Sequence, residues 1–361
     1  MAEFNFSARL EHLLKKISYE KVDAILIYKP ENVYYFSGFN GDSTILFVSK
    51  NFCKLITDGR YTEQAERQAK NFEVIKQTEG LFSKLSDEVK NSAIKILGFE
   101  GNFFTFYEHA NLKEKLPNVE LKSVEVDSLR QIKDAAEISC ISQACAIADK
   151  AFAEVLKFIK AGMREFEVAA ELEYFMRKFG SERAAFDTIV ASGIRGSLPH
   201  GRASEKIIES GELVTIDFGA VYKGYHSDMT RTICVGKAST RQREIYNAVL
   251  DAQIYGLEII KAGLGGKAID EKVRERLKNL GYGEYFVHGL GHSLGLEIHE
   301  EPRLSPRSNC ESLEVNMLVT DEPGVYIPNF GGVRIEDTVL VTDNGAETLT
   351  KSPKNLLEID L

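Results

Sequence analysis

Apolar and polar residues alternate in blocks along the first ~125 residues. "VDAILIYKP" (22–30) and "STILFVSK" (43–50) are apolar, β-branched runs bounded by Pro and Gly, and they predict strands. "KLITDGRYTEQAERQAK" (54–70) passes from a strand into a polar helix. "AIKILGFEG" (93–101) and "NVELKSVEV" (118–126) predict two more strands, with helix near 104–116 between them. Strands alternating with helices predict an α/β unit whose mostly parallel sheet carries helices on its faces.

The pattern changes near Asp127. "DSLRQIKDAAEISCISQACAIADKAFAEVLKFIK" (127–160) repeats apolar residues at three and four, the period of one long helix. A second helix, "REFEVAAELEYFMRKFG" (164–180), stops at Gly180, and the remaining chain alternates strands with helices over 241–263 and 268–281. Two domains are expected, 1–126 and 127–361, the second of α+β type. The halves 130–235 and 245–340 each run helix, helix, strands, as a structural duplication would.

Composition narrows the function. With Lys+Arg 45 against Asp+Glu 54, the net charge of −9 argues against a nucleic-acid partner, which needs clustered cations. The N-terminal stretch is amphipathic and charged, without the apolar core of a signal peptide, and no run suits a membrane span. Five scattered cysteines without a CxxC pair fit free thiols, so a cytoplasmic protein with no membrane association is expected.

The candidate chemistry lies in carboxylates. "ELVTIDFGAVYKGYHSDMTRTICVG" (212–236) reads as two strands turning near Lys223-Gly224, a hairpin that would set Asp217 beside Asp228. One Asp at a strand end is ordinary turn chemistry. Asp217 inside an apolar strand is less so, because a buried unpaired carboxylate costs several kcal/mol. "LVTDEPGVYIPNFGGVRIEDTVLVT" (318–342) repeats the pattern with Glu322 and Glu336, the latter read within a strand with Arg334 on its face. A salt bridge from Arg334 would satisfy one acid only, so cations are the economical source of the missing charge. "VHGLGHSLGLEIHEEP" (287–302) adds His292, and one imidazole among four carboxylates suits two divalent ions such as Mn²⁺, Co²⁺, Fe²⁺ or Zn²⁺.

"TIDFGA", "SDMTRT", "HGLGHSLGLEIHEEP", "DEPGVY" and "GGVRIEDTVLVT", in this order, resemble the pita-bread metallopeptidases, and within them the Xaa-Pro branch of prolidases and Xaa-Pro aminopeptidases. Residues 1–126 resemble the creatinase-like N-terminal domain of that branch, and "LRQIKDAAEI" resembles its linker helix. The resemblance covers nearly the whole chain. It implies that Asp217, Asp228, His292, Glu322 and Glu336 hold two metal ions, Mn²⁺ foremost, with Asp228 and Glu336 bridging. It implies that His200, His288 and His299 bind substrate and transition state, that Glu322 moves a proton, that Arg334 supports the site and that Tyr326 belongs to it. The substrate implied is a peptide with proline second, and a homodimer is the assembly found in the family.

Within that branch the sequence reading favours an Xaa-Pro aminopeptidase, from the compact N-terminal domain and short loops. The alternative is an Xaa-Pro dipeptidase, for which Arg303 would clamp the substrate carboxylate. Arg303 is equally readable as a surface arginine or a structural ion pair. Methionine aminopeptidases usually lack the N-terminal domain and an imidazole at the position of His288, and creatine amidinohydrolases work without metal. A non-enzymatic pita-bread binding module would have lost ligands, and here all are present. "GSERAAFDTIV" and "SGIRGS" are expected to line the substrate pocket, and His226 is expected to be structural.

Overall fold

A computed structural model describes residues 3–359, which divide into two compact units, Glu3–Leu129 and one running on from Arg130. In the first, strands β1 (Ala24–Ile27), β2 (Thr44–Ser49), β3 (Cys53–Asp58), β4 (Glu73–Gln77), β5 (Ile96–Phe99) and β6 (Glu120–Ser123) form one sheet in the order β4-β3-β2-β1-β5-β6. The sheet is mostly parallel, as expected, with β2 alone running against the other five strands. The β1–β2 and β2–β3 ladders are antiparallel and the other three parallel, because 44–58 is a tight hairpin rather than a helical crossover. Helices α1 (Phe6–Glu20), α2 (Pro30–Ser37), α3 (Thr62–Gln68), α4 (Leu81–Lys90) and α5 (Phe106–Lys115) accompany the sheet. Leu26, Phe47, Ile56, Leu85, Leu97 and Leu112 share its core.

The second unit begins with α6 (Ala135–Val155) and α7 (Glu165–Lys178). The single long helix expected from Asp127 is broken. Asp127–Arg130 is a short 3₁₀ turn, and the helix starts only after Asp134, whose carboxylate accepts from the backbone N–H groups of Ala136 and Glu137. Strands β7 (Ile189–Ser192), β8 (Glu212–Phe218), the short pair β9 (Val221–Tyr222) and β10 (Tyr225–His226), and β11 (Met229–Val235) follow. Lys223 and Gly224 both have positive φ, at 49° and 78°, as the tight turn between β9 and β10 demands. Then come α8 (Thr240–Ile259) and α9 (Gly266–Asn279), with β12 (Gly291–Ser293), β13 (Glu300–Leu304), β14 (Leu318–Asp321), β15 (Gly324–Ile327), β16 (Gly331–Arg334), β17 (Asp337–Thr342), β18 (Gly345–Thr348) and β19 (Glu358–Ile359). Two helices followed by strands thus occur twice.

Alternation along β8 explains why an acid interrupts an apolar run. Val214, Ile216 and Phe218 join a core with Phe152 of α6 and Val168 of α7. Thr215 and Asp217 point to the other face, where Thr230 and Thr232 of β11 stand opposite them in register. A second core joins α8 and α9 to Val319, Val325, Val333 and Val339.

Candidate metal and substrate site

The polar face of the β8–β11 hairpin forms the floor of the site. Asp217 lies on β8 and Asp228 immediately precedes β11. Glu322 and Glu336 occupy the breaks between β14 and β15 and between β16 and β17, so Glu336 is not within a strand as expected. Leaving the ladder there frees both side chains to turn inward. A Cβ on Gly291 would fall 2.0 Å from the Thr320 carbonyl oxygen, so only glycine lets β12 run this close to β14. That approach brings His292 Nε2 to 3.5 Å from Glu322 Oε1 and 3.6 Å from Asp228 Oδ2.

Arg334 organises the acids. Its Nη2 donates to Asp217 Oδ2 at 2.6 Å, its Nε to Thr230 Oγ1 at 3.0 Å, and its Nη1 to the Tyr326 hydroxyl at 2.7 Å and the Pro199 carbonyl at 3.2 Å. Thr230 in turn donates to Glu336 Oε2 at 2.6 Å, and Thr320 donates to Glu322 Oε1 at 3.1 Å. One guanidinium does not neutralise four carboxylates. Burial, and then the Glu336, Asp217 and Glu322 charges, raise Asp228 well above the usual carboxylate range. Burial, with Glu322 and Asp217, does the same to Glu336, and burial pushes Glu322 up to about 8.

These residues fit divalent cations. Asp228, His292 and Glu336 each offer a donor atom within 4.8 Å of the others. Asp217 Oδ1 is buried without a hydrogen-bond partner, and a buried acceptor of that kind suits a cation. His292 Nδ1 lies 3.0 Å from the Ser293 carbonyl, which fixes its proton there and leaves the Nε2 lone pair directed at the acids. Burial, then His299, lowers its pKa to about 3, so the ring is neutral as a ligand must be.

Three more histidines line the cavity, whose volume is about 540 Å³. His299 packs edge-on against His292 with ring centroids 4.4 Å apart, and burial, then Arg303, lowers its pKa. His288 is held at both nitrogens, Nδ1 donating to the Gly289 carbonyl at 2.8 Å and Nε2 accepting from Tyr326 at 2.8 Å. Burial, then Arg334, takes its pKa down to about 4. His200 stands exposed on the wall, and Arg303 also lines it, half exposed, with its Nε 3.3 Å from Glu301. Tyr326 is buried behind this wall and reaches it through His288 and Arg334.

Ten of the eleven predicted site residues therefore line one cavity and Tyr326 backs it. Phe186, Asp187 and Ile189 of "GSERAAFDTIV" line it too, whereas "SGIRGS" gives way to Pro199 and Arg202 just beyond it. Thr230 and Thr320 were missed. The motif "SDMTRT" and the alternation of β11 were signals for Thr230, but its partners come from over a hundred residues away. His226 is buried, with Nδ1 at 3.1 Å from the Gly295 carbonyl and Nε2 beside Arg183.

The chain is similar to known proteins along nearly its whole length. Residues 139–343 match the pattern of metallopeptidase family M24, and residues 9–132 match the creatinase/prolidase N-terminal domain. A solved Xaa-Pro dipeptidase from Bacillus anthracis is 46% identical, with a TM-score of 0.96 over 98% of this chain and 100% of its own. An Xaa-Pro dipeptidase of Pyrococcus furiosus is 46% identical over 97% of this chain and 99% of its own. An X-Pro aminopeptidase structure from Thermotoga maritima is 40% identical, with a TM-score of 0.90 over 97% of this chain and 100% of its own.

Proposed function

Because the chain belongs to metallopeptidase family M24 and is a metallo-exopeptidase, we propose that it is an Xaa-Pro dipeptidase, hydrolysing the bond between the two residues of a dipeptide that ends in proline. This reading replaces the aminopeptidase favoured on sequence. The observation that carries it is Arg303, a half-exposed guanidinium on the cavity wall, whose chemistry suits a substrate's C-terminal carboxylate. The dipeptidases among its close relatives support the same choice.

Asp217, Asp228, His292, Glu322 and Glu336 would hold the two ions. Mn²⁺ is our assignment; Co²⁺, Zn²⁺ and Fe²⁺ also suit the donors. When bound, the ions supply Lewis acidity that makes water a nucleophile near neutral pH. Glu322 takes the nucleophile's proton and delivers it to the proline nitrogen, which must leave as a secondary amine. Neutral His299 donates to the carbonyl oxygen as it gains charge, and His200 binds the substrate from the rim. His288, held by Gly289 and Tyr326, completes the wall, while Arg334 aligns Asp217. Proline offers no N–H, and a site that grips the first residue and the terminal carboxylate needs none. A cytoplasmic homodimer is the setting we assign to this activity.

The test compares Ala-Pro with Ala-Pro-Ala, using metal-stripped protein with and without Mn²⁺. Cleavage of the dipeptide alone, dependent on Mn²⁺, is expected. Arg303→Ala should raise KM for Ala-Pro about tenfold or more, the worth of a charged hydrogen bond, with kcat nearly unchanged. Efficient tripeptide cleavage would restore the aminopeptidase.

A further inference from the structure

The segment "LRQIKDAAEI" carries two cations that the chemistry above leaves unused. Lys133 is 1% exposed and Arg130 2% exposed. Lys133 Nζ donates to Ser293 Oγ at 3.1 Å and to Glu300 Oε2 at 3.2 Å. Those two residues directly follow His292 and His299. A single ammonium therefore joins the two ends of the loop that presents both imidazoles. Arg130 reaches the same loop, pairing with Glu297 and with Glu300 Oε1 at 3.2 Å.

The loop needs such a fastening. Ser293 and Glu300 are partners in the β12–β13 ladder, but the register shifts between His292 and Ser293. A bulge of this kind re-aims side chains and weakens the ladder's control of register. Glu300 is wrapped closely, since a Cβ on Gly295 would fall 2.8 Å from its Oε2, and the Glu297 N–H donates to its Oε1 at 3.2 Å. Burying an ion pair is often no more stabilising than burying apolar groups of equal size, so stability alone explains these charges poorly. Fixing one geometry explains them better.

We propose that Lys133, assisted by Arg130, is a positioning residue that locks the 293–300 loop and so sets His299 against His292. This rests on the roles given above to the two imidazoles. Lys133→Met keeps the side chain's length and removes its charge. The readouts are kinetics on Ala-Pro with Mn²⁺, and ring ¹H–¹³C signals of histidine-labelled, Zn²⁺-loaded protein, with His299 assigned from the His299→Ala spectrum.

We expect Lys133→Met to move or broaden the His299 signal and to lower kcat/KM roughly 10- to 100-fold, the range for groups that orient site residues. In a His299→Ala background the same substitution should cost little more, and Lys133→Arg should restore part of the loss. An unmoved His299 signal, or losses that multiply in the double variant, would overturn the proposal. Should Lys133→Met not fold, Ser293→Ala removes one end of the fastening and is read in the same way. If His299→Ala hydrolyses Ala-Pro normally while Lys133→Met still shifts the signal, the fastening stands and the role given to His299 falls.

Discussion

Thr230 lies under the carboxylates and joins two of the site's critical groups. Its hydroxyl donates to Glu336 and accepts from Arg334, so one small side chain sets the orientation of an acid and of the guanidinium beside it. Thr230→Val preserves shape and removes both bonds. Mn²⁺ affinity, measured by calorimetry, should weaken about 10- to 100-fold. Unchanged affinity would mean that Glu336 is held by packing alone. Asp217, Glu322, Glu336 and His292 stood out because each breaks or ends an apolar run or sits among glycines, and Asp228 because the hairpin sets it beside Asp217. Thr230 breaks nothing, since threonine suits a strand as well as valine does.

Among the elements, the close crossings matter most. Residues 193–202, which carry His200, lie against β16, and a Cβ on Gly332 would fall 2.1 Å from the Gly196 carbonyl oxygen. Backbone on both sides cannot yield cheaply. Gly332→Ala should cost about 1–3 kcal/mol and reduce Ala-Pro hydrolysis by displacing His200, checked by chemical denaturation beside kinetics. An unaltered denaturation midpoint would contradict the crowding. The elements that the sequence announced are those with a strong period, such as β1, β2, α7, α8 and α9. Strand β4 was missed because it is half exposed and short, and α2 because its Pro30 reads equally as the end of a strand. The break before α6 was hidden because Arg130 and Lys133 fit a helical pattern while serving tertiary contacts.

At the scale of the molecule, pH and metal act on stability together. Asp228, Glu336 and Glu322 have folded-state pKa values raised by burial, Glu322 to about 8. Unfolded, they would ionise near pH 4. Between those limits the folded state holds more protons, so the stability these groups provide falls as pH rises. Glu300 is opposite: burial raises it, but Lys133 and Arg130 more than compensate and leave it lowered, so its contribution is lost as pH falls through the folded value. Because His288, His292 and His299, with values lowered by burial, pull the other way below about pH 6.5, the comparison belongs above it, and metal-free protein should melt higher at pH 7 than at pH 8.5. Since metal binds the deprotonated ligands, Mn²⁺ should raise the melting temperature more at pH 8.5. Calorimetry with and without chelator decides, and a metal-free protein that melts higher at pH 8.5 would refute this account.

The five proposed ligands are spread from Asp217 to Glu336, on segments separated by two helices and several strand pairs. During biosynthesis the full set of donors does not exist until Glu336 has been made and β17 can pair with β14. An ion cannot seed this fold in the way it seeds a small zinc module, where ligands are neighbours in sequence. An ion held by all five ligands therefore meets a chain whose strands have already paired around its buried acids.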